Sequence, residues 1–201
     1  MSPNSLRLKI VELVYKSKEG HIPSAFSIVD IIYYIYRKRI KKNNSKFILS
    51  KGHGALALYV VLNYFKILKT KILNLYYKNN SLIGGHPEIS LDGVEASTGS
   101  LGHGFSTATG IAIALKIKKN FKKKIYVVVG DGECNEGPIW ESAHIAANYG
   151  LDNLICIVDN NKSSKNLLPL DNLYKKWIAF GWYVIKANGH SVKSMDNAFK
   201  K

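Results

Sequence analysis

An α/β fold, a parallel sheet flanked by helices, is what this chain of 201 residues predicts. Three observations carry that expectation. An apolar run at residues 125–129, a helical stretch at 139–149 and a second apolar run at 154–158 follow one another at the length of a right-handed crossover between parallel strands. The first run passes straight into Gly130-Asp131-Gly132-Glu133-Cys134-Asn135-Glu136-Gly137, and the second into Asp159-Asn160-Asn161, so polar turn-forming loops begin where apolar strands stop. Further Gly-rich loops sit just before or after the other elements, as ligand loops do in such folds.

The elements follow in order. Leu6, Ile10, Leu13 and Val14 recur at helical spacing, and Gly20 is a natural stop. Gly20-His21-Ile22-Pro23-Ser24 reads as a turn. Ser27, with Asp30 behind it, reads as the start of a second helix running to about Arg37. Phe47-Ile48-Leu49 is a short strand leading through Ser50-Lys51-Gly52-His53-Gly54 into a helix over residues 55–65. Residues 79–101 are rich in Gly, Ser, Thr and Pro and form an extended loop, which in a compact domain usually serves function. A helix of small residues over 106–118, including Ala108, Ala112 and Ala114, implies close packing. After the central crossover, Trp182-Tyr183-Val184-Ile185 reads as another strand and residues 192–200 as a helix. No internal repeat is evident, and residues 1–201 make a single domain.

Composition narrows the class. With 46% hydrophobic residues the chain can bury a core. The net charge of +15 comes from 29 basic against 14 acidic side chains, clustered in residues 37–42 and 118–124. No zinc-finger, RRM-type or KH-type signature accompanies it, so the charge reads as a solvated rim rather than a nucleic-acid surface. The excess can also steer anionic, phosphorylated ligands. The two cysteines make no disulfide framework and fit a reduced, cytoplasmic setting. Cys156 lies in a strand and reads as a buried core residue, and Cys134, with no His-plus-carboxylate pattern, as a spectator. The polar start, Met1-Ser2-Pro3-Asn4, is no secretory signal, and the apolar run over 28–36 is too short to span a membrane.

The chemistry concentrates on loops. Parallel strands end on one edge, so Asp131 and Asn161 should both overhang the edge where open α/β sheets bind ligands. A carboxylate and an amide oxygen there suit magnesium, which takes few protein ligands and completes its shell with phosphate and water. Four of the six histidines, His21, His53, His86 and His103, fall in Gly-rich loops. Glycines admit a ligand close to the backbone, and imidazoles there can contact hydroxyls or phosphates and move protons. A zinc site is rejected, because the histidines are far apart and no Cys-x-x-Cys or H-x-x-x-H pair exists. Glu136, at a helix start, at least favours the positive end of the dipole.

Taken in order, Gly20-His21, residues 47–54, Gly85-His86-Pro87-Glu88, residues 93–102, residues 130–136, Asp159-Asn160-Asn161 and Gly189-His190 resemble the transketolase family of thiamine-diphosphate enzymes. The similarity points most to the separate N-terminal subunit of two-subunit transketolases, the domain that grips the cofactor diphosphate. The resemblance implies thiamine diphosphate with Mg2+ or Ca2+. Asp131 and Asn161, with the main-chain carbonyl of Ser163, would hold the ion. Gly132 would lie against the diphosphate, and His53, Gly99, Ser100 and Leu101 would line the cofactor. His21 and His86 would face a sugar phosphate. Glu136 would sit at the subunit interface, linked to a catalytic Glu of a partner subunit carrying the pyrimidine-binding domain. His190 matches the family in a loop outside the site. Three departures accompany the match: the activating Glu belongs to that second domain, a diphosphate-binding His of the family lies past position 201, and the chain looks shorter by a strand and a helix. Ser163-Ser164-Lys165 also replaces a Gly-containing segment. The resemblance implies two-carbon ketol transfer in an oligomer. A deoxyxylulose-phosphate synthase is the enzymic alternative, disfavoured by Glu136 and Lys51-Gly52-His53-Gly54, and an inactive cofactor-binding remnant is the other.

Overall fold

The computed structural model describes residues 3–40, 44–165 and 168–200. Its sheet is parallel, with strands β1 (Lys46–Leu49), β2 (Ile125–Gly130) and β3 (Leu154–Asp159) in the order β1-β2-β3. Lys46 faces Ile125, and Gly130 faces Asp159. The helices are α1 (Pro3–Ser17), α2 (Ile22–Ile35), α3 (Ala55–Tyr64), α4 (Thr70–Leu73), α5 (His103–Ile117), α6 (Gly137–Asn148), α7 (Leu173–Ala179) and α8 (Val192–Ala198).

Strand alternation sorts side chains between two cores. Phe47, Leu49, Tyr126, Val128, Ile155 and Ile157 join the core built with α1, α2, α3 and Met195 of α8. Ile48, Ile125, Val127, Val129, Cys156 and Val158 join the core built with α5, α6 and α7. The fold is therefore three layers, helices on both faces of a parallel sheet, as the sequence predicts. β2 is buried throughout because it is central. β3 lies at the edge, so Cys156, expected to be buried, is only half-buried.

Several expectations need correction. The second helix starts at Ile22, not Ser27, with Pro23 in its first turn, where a missing N–H costs nothing. Ser27 is then interior, and its hydroxyl bonds the Ser24 carbonyl at 3.0 Å and Asp159 Oδ2 at 2.6 Å. Asp30 is no first-turn acid. It is buried, clasped by both terminal nitrogens of Arg7 and by His190 Nδ1 at 2.6 Å. Trp182–Ile185 does not join the sheet. It forms no ladder, while Trp182 packs on Phe105 and Trp177 and donates to the Ala143 carbonyl at 3.0 Å. Aromatic packing beneath α6 and α7 holds this segment instead of β3. The helix α7 has no counterpart among the elements expected from the sequence. It is capped by Asn172 and buries Trp177.

Residues 79–101 contain no helix or strand, as expected, but they are pinned down. Tyr59 donates to the His86 carbonyl at 2.6 Å, Thr98 donates to the Leu49 carbonyl at 2.7 Å, and Glu95 pairs with Lys46. The helix α5 starts at His103, three residues ahead of expectation. Ala108 and Ala112 are fully buried, whereas Ala114 is exposed.

Two glycines of α5 make opposite predictions. A Cβ on Gly104 would stand 2.6 Å from the Ser50 Cα, whereas one on exposed Gly110 would meet nothing within 4 Å. Gly104→Ala should destabilise by about 1–3 kcal/mol through overpacking. Gly110→Ala should stabilise by about 0.5–1 kcal/mol through helix propensity. Urea unfolding of the isolated chain checks both, and a Gly104→Ala variant as stable as wild type would refute the close approach.

Candidate functional site

Because all three strands are parallel, their C-terminal ends share one edge, and each feeds a tight loop there. β1 runs into Ser50-Lys51 and the 3-10 turn Gly52–Gly54, with the Ser50 N–H bonded to the Val128 carbonyl at 2.9 Å. β2 runs into Asp131 and the 3-10 turn Gly132–Asn135. β3 runs into Asn160-Asn161, and the Asp131 N–H bonds the Asp159 carbonyl at 3.1 Å.

Asp131 and Asn161 are thus delivered side by side, and Ser163 joins them. Its hydroxyl donates to Asp131 Oδ1 at 3.1 Å and its N–H to Asn161 Oδ1 at 2.9 Å. Asp131 Oδ1 also accepts from the Gly132 N–H at 2.9 Å. Among the described residues Asp131 Oδ2 accepts no hydrogen bond, and Asn161 Oδ1 accepts one. A carboxylate and an amide oxygen with spare acceptor capacity at adjoining strand ends form a donor set that fits a hard divalent cation. A Cβ on Gly132 would touch only the Ser164 Cβ at 3.6 Å, so its backbone is open to a ligand.

Behind these residues lies a buried ion pair. Lys51 is 1% exposed, and its Nζ lies 2.6 Å from Asp159 Oδ2. The same oxygen accepts from the Ser27 hydroxyl and from Asn161 Nδ2 at 3.2 Å. Asn161 Nδ2 bonded to that carboxylate leaves Oδ1 on the Asp131 side.

Glu133, which the sequence pattern does not single out, is 2% exposed. Its carboxylate accepts from the Ser50 hydroxyl, the Gly102 N–H and the Gly130 N–H. Burial pushes its pKa up, and those three donors oppose the rise without cancelling it. Its only local signal is an acid inside the Gly-rich loop, since two of its partners arrive from distant segments. Cys134 behaves as the spectator expected: burial, with Glu133 nearby, pushes its thiol up to about 12.

The histidine loops meet as well. The His21 and His53 rings lie 6.0 Å apart, edge to face. His86 lies over Gly99, where a Cβ would stand 3.1 Å from its Cδ2, a tight contact with the imidazole. Burial lowers the His53 pKa to about 4, with the charges of Lys51, His21 and His86 adding to it. Ser100 is exposed and Leu101 half-buried in the loop before α5, beside His86 and Gly99. Glu136 is exposed at the N-cap of α6 and makes no side-chain capping bond. His103 is exposed at the start of α5, and His190 is drawn away to Asp30.

The sign of the His53 shift sets a pH dependence. Its folded value of about 4 lies below the ordinary 6.5, so the unfolded chain binds more protons between them and His53 makes stability fall as pH drops through that window. A proton NMR titration should place the His53 midpoint near 4, with the ring neutral at pH 7. A midpoint at 6 or above would show the imidazole to be solvated, since an unperturbed one titrates at about 6.5.

Residues 2–201 match the family model for the transketolase, thiamine diphosphate binding domain. One of the named subunits of apulose-4-phosphate transketolase from Actinobacillus succinogenes is 41% identical, covering 95% of this chain and 74% of that protein. Its namesake from Phocaeicola vulgatus is 35% identical over 96% of this chain and 73% of its own length. Human transketolase is 35% identical over 98% of this chain, which spans 34% of that longer protein. Among solved structures, transketolase from Leishmania mexicana superposes with a TM-score of 0.81 at 26% identity, over 98% of this chain and 33% of that one. A strand-end edge that gathers Asp131, Asn161 and the histidine loops, together with these matches, means that the chain belongs to the transketolase family, as its thiamine diphosphate binding domain.

Proposed function

We propose that the chain is the diphosphate-gripping half of a two-subunit transketolase, transferring a two-carbon ketol unit between sugar phosphates. It works with a partner subunit that carries the pyrimidine-binding domain. The relatives named as separate subunits of a transketolase support a divided enzyme. The observation that carries the reading is the pairing of Asp131 with Asn161 through Ser163 at neighbouring strand ends. In this reading the two side chains hold Mg2+ or Ca2+, and the Ser163 carbonyl completes the protein's share. Gly132 lies against the diphosphate, whose charge the ion and the loop amides offset. His53, Gly99, Ser100 and Leu101 line the cofactor.

Bound thiamine diphosphate supplies an electron sink at its thiazolium carbon. The chain's own part is to bind, orient and move protons. His21 and His86 face the sugar and exchange protons with its hydroxyls. His53, neutral at pH 7, can accept as well as donate a hydrogen bond between them. Glu136, exposed at the start of α6, meets the partner's catalytic carboxylate. The reduced cysteines fit a cytoplasmic setting, and among the described residues no helix is long and apolar enough to cross a membrane.

Ketol transfer should appear when the chain is mixed with a C-terminal transketolase subunit, thiamine diphosphate and Mg2+, and not with either chain alone. A coupled assay of aldose formation reads this, and silence with every plausible partner would overturn the proposal. Asp131→Ala should weaken Mg2+-dependent cofactor binding by calorimetry at least about 100-fold, since it removes the only charged ligand, worth several kcal/mol. Unchanged binding would refute the metal assignment.

A further inference from the structure

Glu133 has no part in the chemistry set out above, yet it is the most enclosed acid of the strand-end loops, at 2% exposure. Its oxygens gather three loops. Oε1 accepts from the Ser50 hydroxyl beyond β1 and from the Gly102 N–H ahead of α5 at 2.8 Å, and Oε2 accepts from the Gly130 N–H at the end of β2 at 3.1 Å. All three groups donate, and an ionised carboxylate is acceptor-only, so every bond is satisfied. An amide in its place must turn its NH2 group toward a backbone N–H. No cation is hydrogen-bonded to Glu133 among the described residues, because the Lys51 ammonium is committed to Asp159. Packed apolar side chains could fill such a position without the desolvation cost of a carboxylate. What they could not do is hold two backbone amides and a hydroxyl from separate loops at fixed spacing.

Those loops bear the residues assigned to the cofactor. His53 lies three positions after Ser50, Gly99-Ser100-Leu101 lead into Gly102, and Gly132 lies two positions after Gly130. We infer that Glu133 is a positioning residue of the cofactor cradle, setting the distance between the diphosphate loop at residues 130–132 and the loop at 99–102. This rests on the thiamine diphosphate reading proposed above.

The test is calorimetric titration of thiamine diphosphate with Mg2+ into the chain assembled with its C-terminal partner, at a temperature where circular dichroism shows each variant folded. Glu133→Gln should bind about tenfold more weakly or worse, as when a group that orients a ligand is altered. Ser50→Ala, which deletes one donor and leaves the carboxylate on both amides, should bind about threefold more weakly. A residue that only stabilises the fold would lower the melting temperature and leave the affinity of the folded protein untouched. Wild-type affinity in folded Glu133→Gln overturns the inference. If that variant does not fold, wild-type affinity in Ser50→Ala overturns it instead. Wild-type protein that binds no cofactor removes the underlying reading and this inference with it, an outcome distinct from binding that is indifferent to Glu133.

Discussion

Lys51 and Asp159 face each other at 2.6 Å inside the protein, and the arrangement of the strand-end loops follows from keeping them matched. A lone buried carboxylate or ammonium would cost several kcal/mol, so neither loop can move without the other. Asp159 extends the constraint by accepting from Ser27 of α2 and from Asn161. One carboxylate oxygen thereby couples the helix after the first histidine loop, the loop after β1 and the loop after β3. Such a pair adds little stability relative to apolar packing, so its effect lies in geometry: it selects the one arrangement in which all its members are satisfied.

The opposite edge of the sheet is organised differently. The two basic runs precede β1 and β2, so they lie at the strand starts, away from Asp131 and Asn161 (residues 41 and 42 fall outside the described residues). Two of these cations are used locally: Lys124 donates to the Asp152 carbonyl, and Arg39 stacks on Phe199. Lys116, just ahead of the second run, donates to the carbonyls of Tyr149 and Gly150. At the strand-end edge Lys51, Asp131, Glu133 and Asp159 are instead buried and hydrogen-bonded, where the low dielectric makes each contact count.

The site therefore combines rigid and open parts. Asp131, Glu133, Lys51 and Asp159 are buried and bonded. His21, His86, Ser100, Glu136 and Asn161 are exposed at the same edge. Enclosed groups hold loop spacing, while exposed ones remain available to a ligand or to a second protein chain. That division fits the two-subunit reading proposed above.

Continuous apolar runs that stop at polar, Gly-rich loops were enough to identify strands buried between helices, because that pattern is local. The same holds for Asp131 and Asn161: parallel strands joined by a helix must end on one edge, and the residues just past each end must meet there. Other features were beyond local reading. Ser27 reads as a helix start, yet it sits within α2 and bonds Asp159, 132 residues away. Trp182-Tyr183-Val184-Ile185 has strand composition, but aromatic contacts with Phe105 and Trp177 hold it off the ladder. Glu133 looks like any loop acid until Ser50 and Gly102 arrive, 83 and 31 residues distant. The sequence by itself determined the layers, the direction of the strands and which loops share an edge, since local apolar runs and chain connectivity dictate these. Only the tertiary structure decided which buried charges are paired and by what, since the partner of a desolvated group is chosen by packing between segments far apart in the chain.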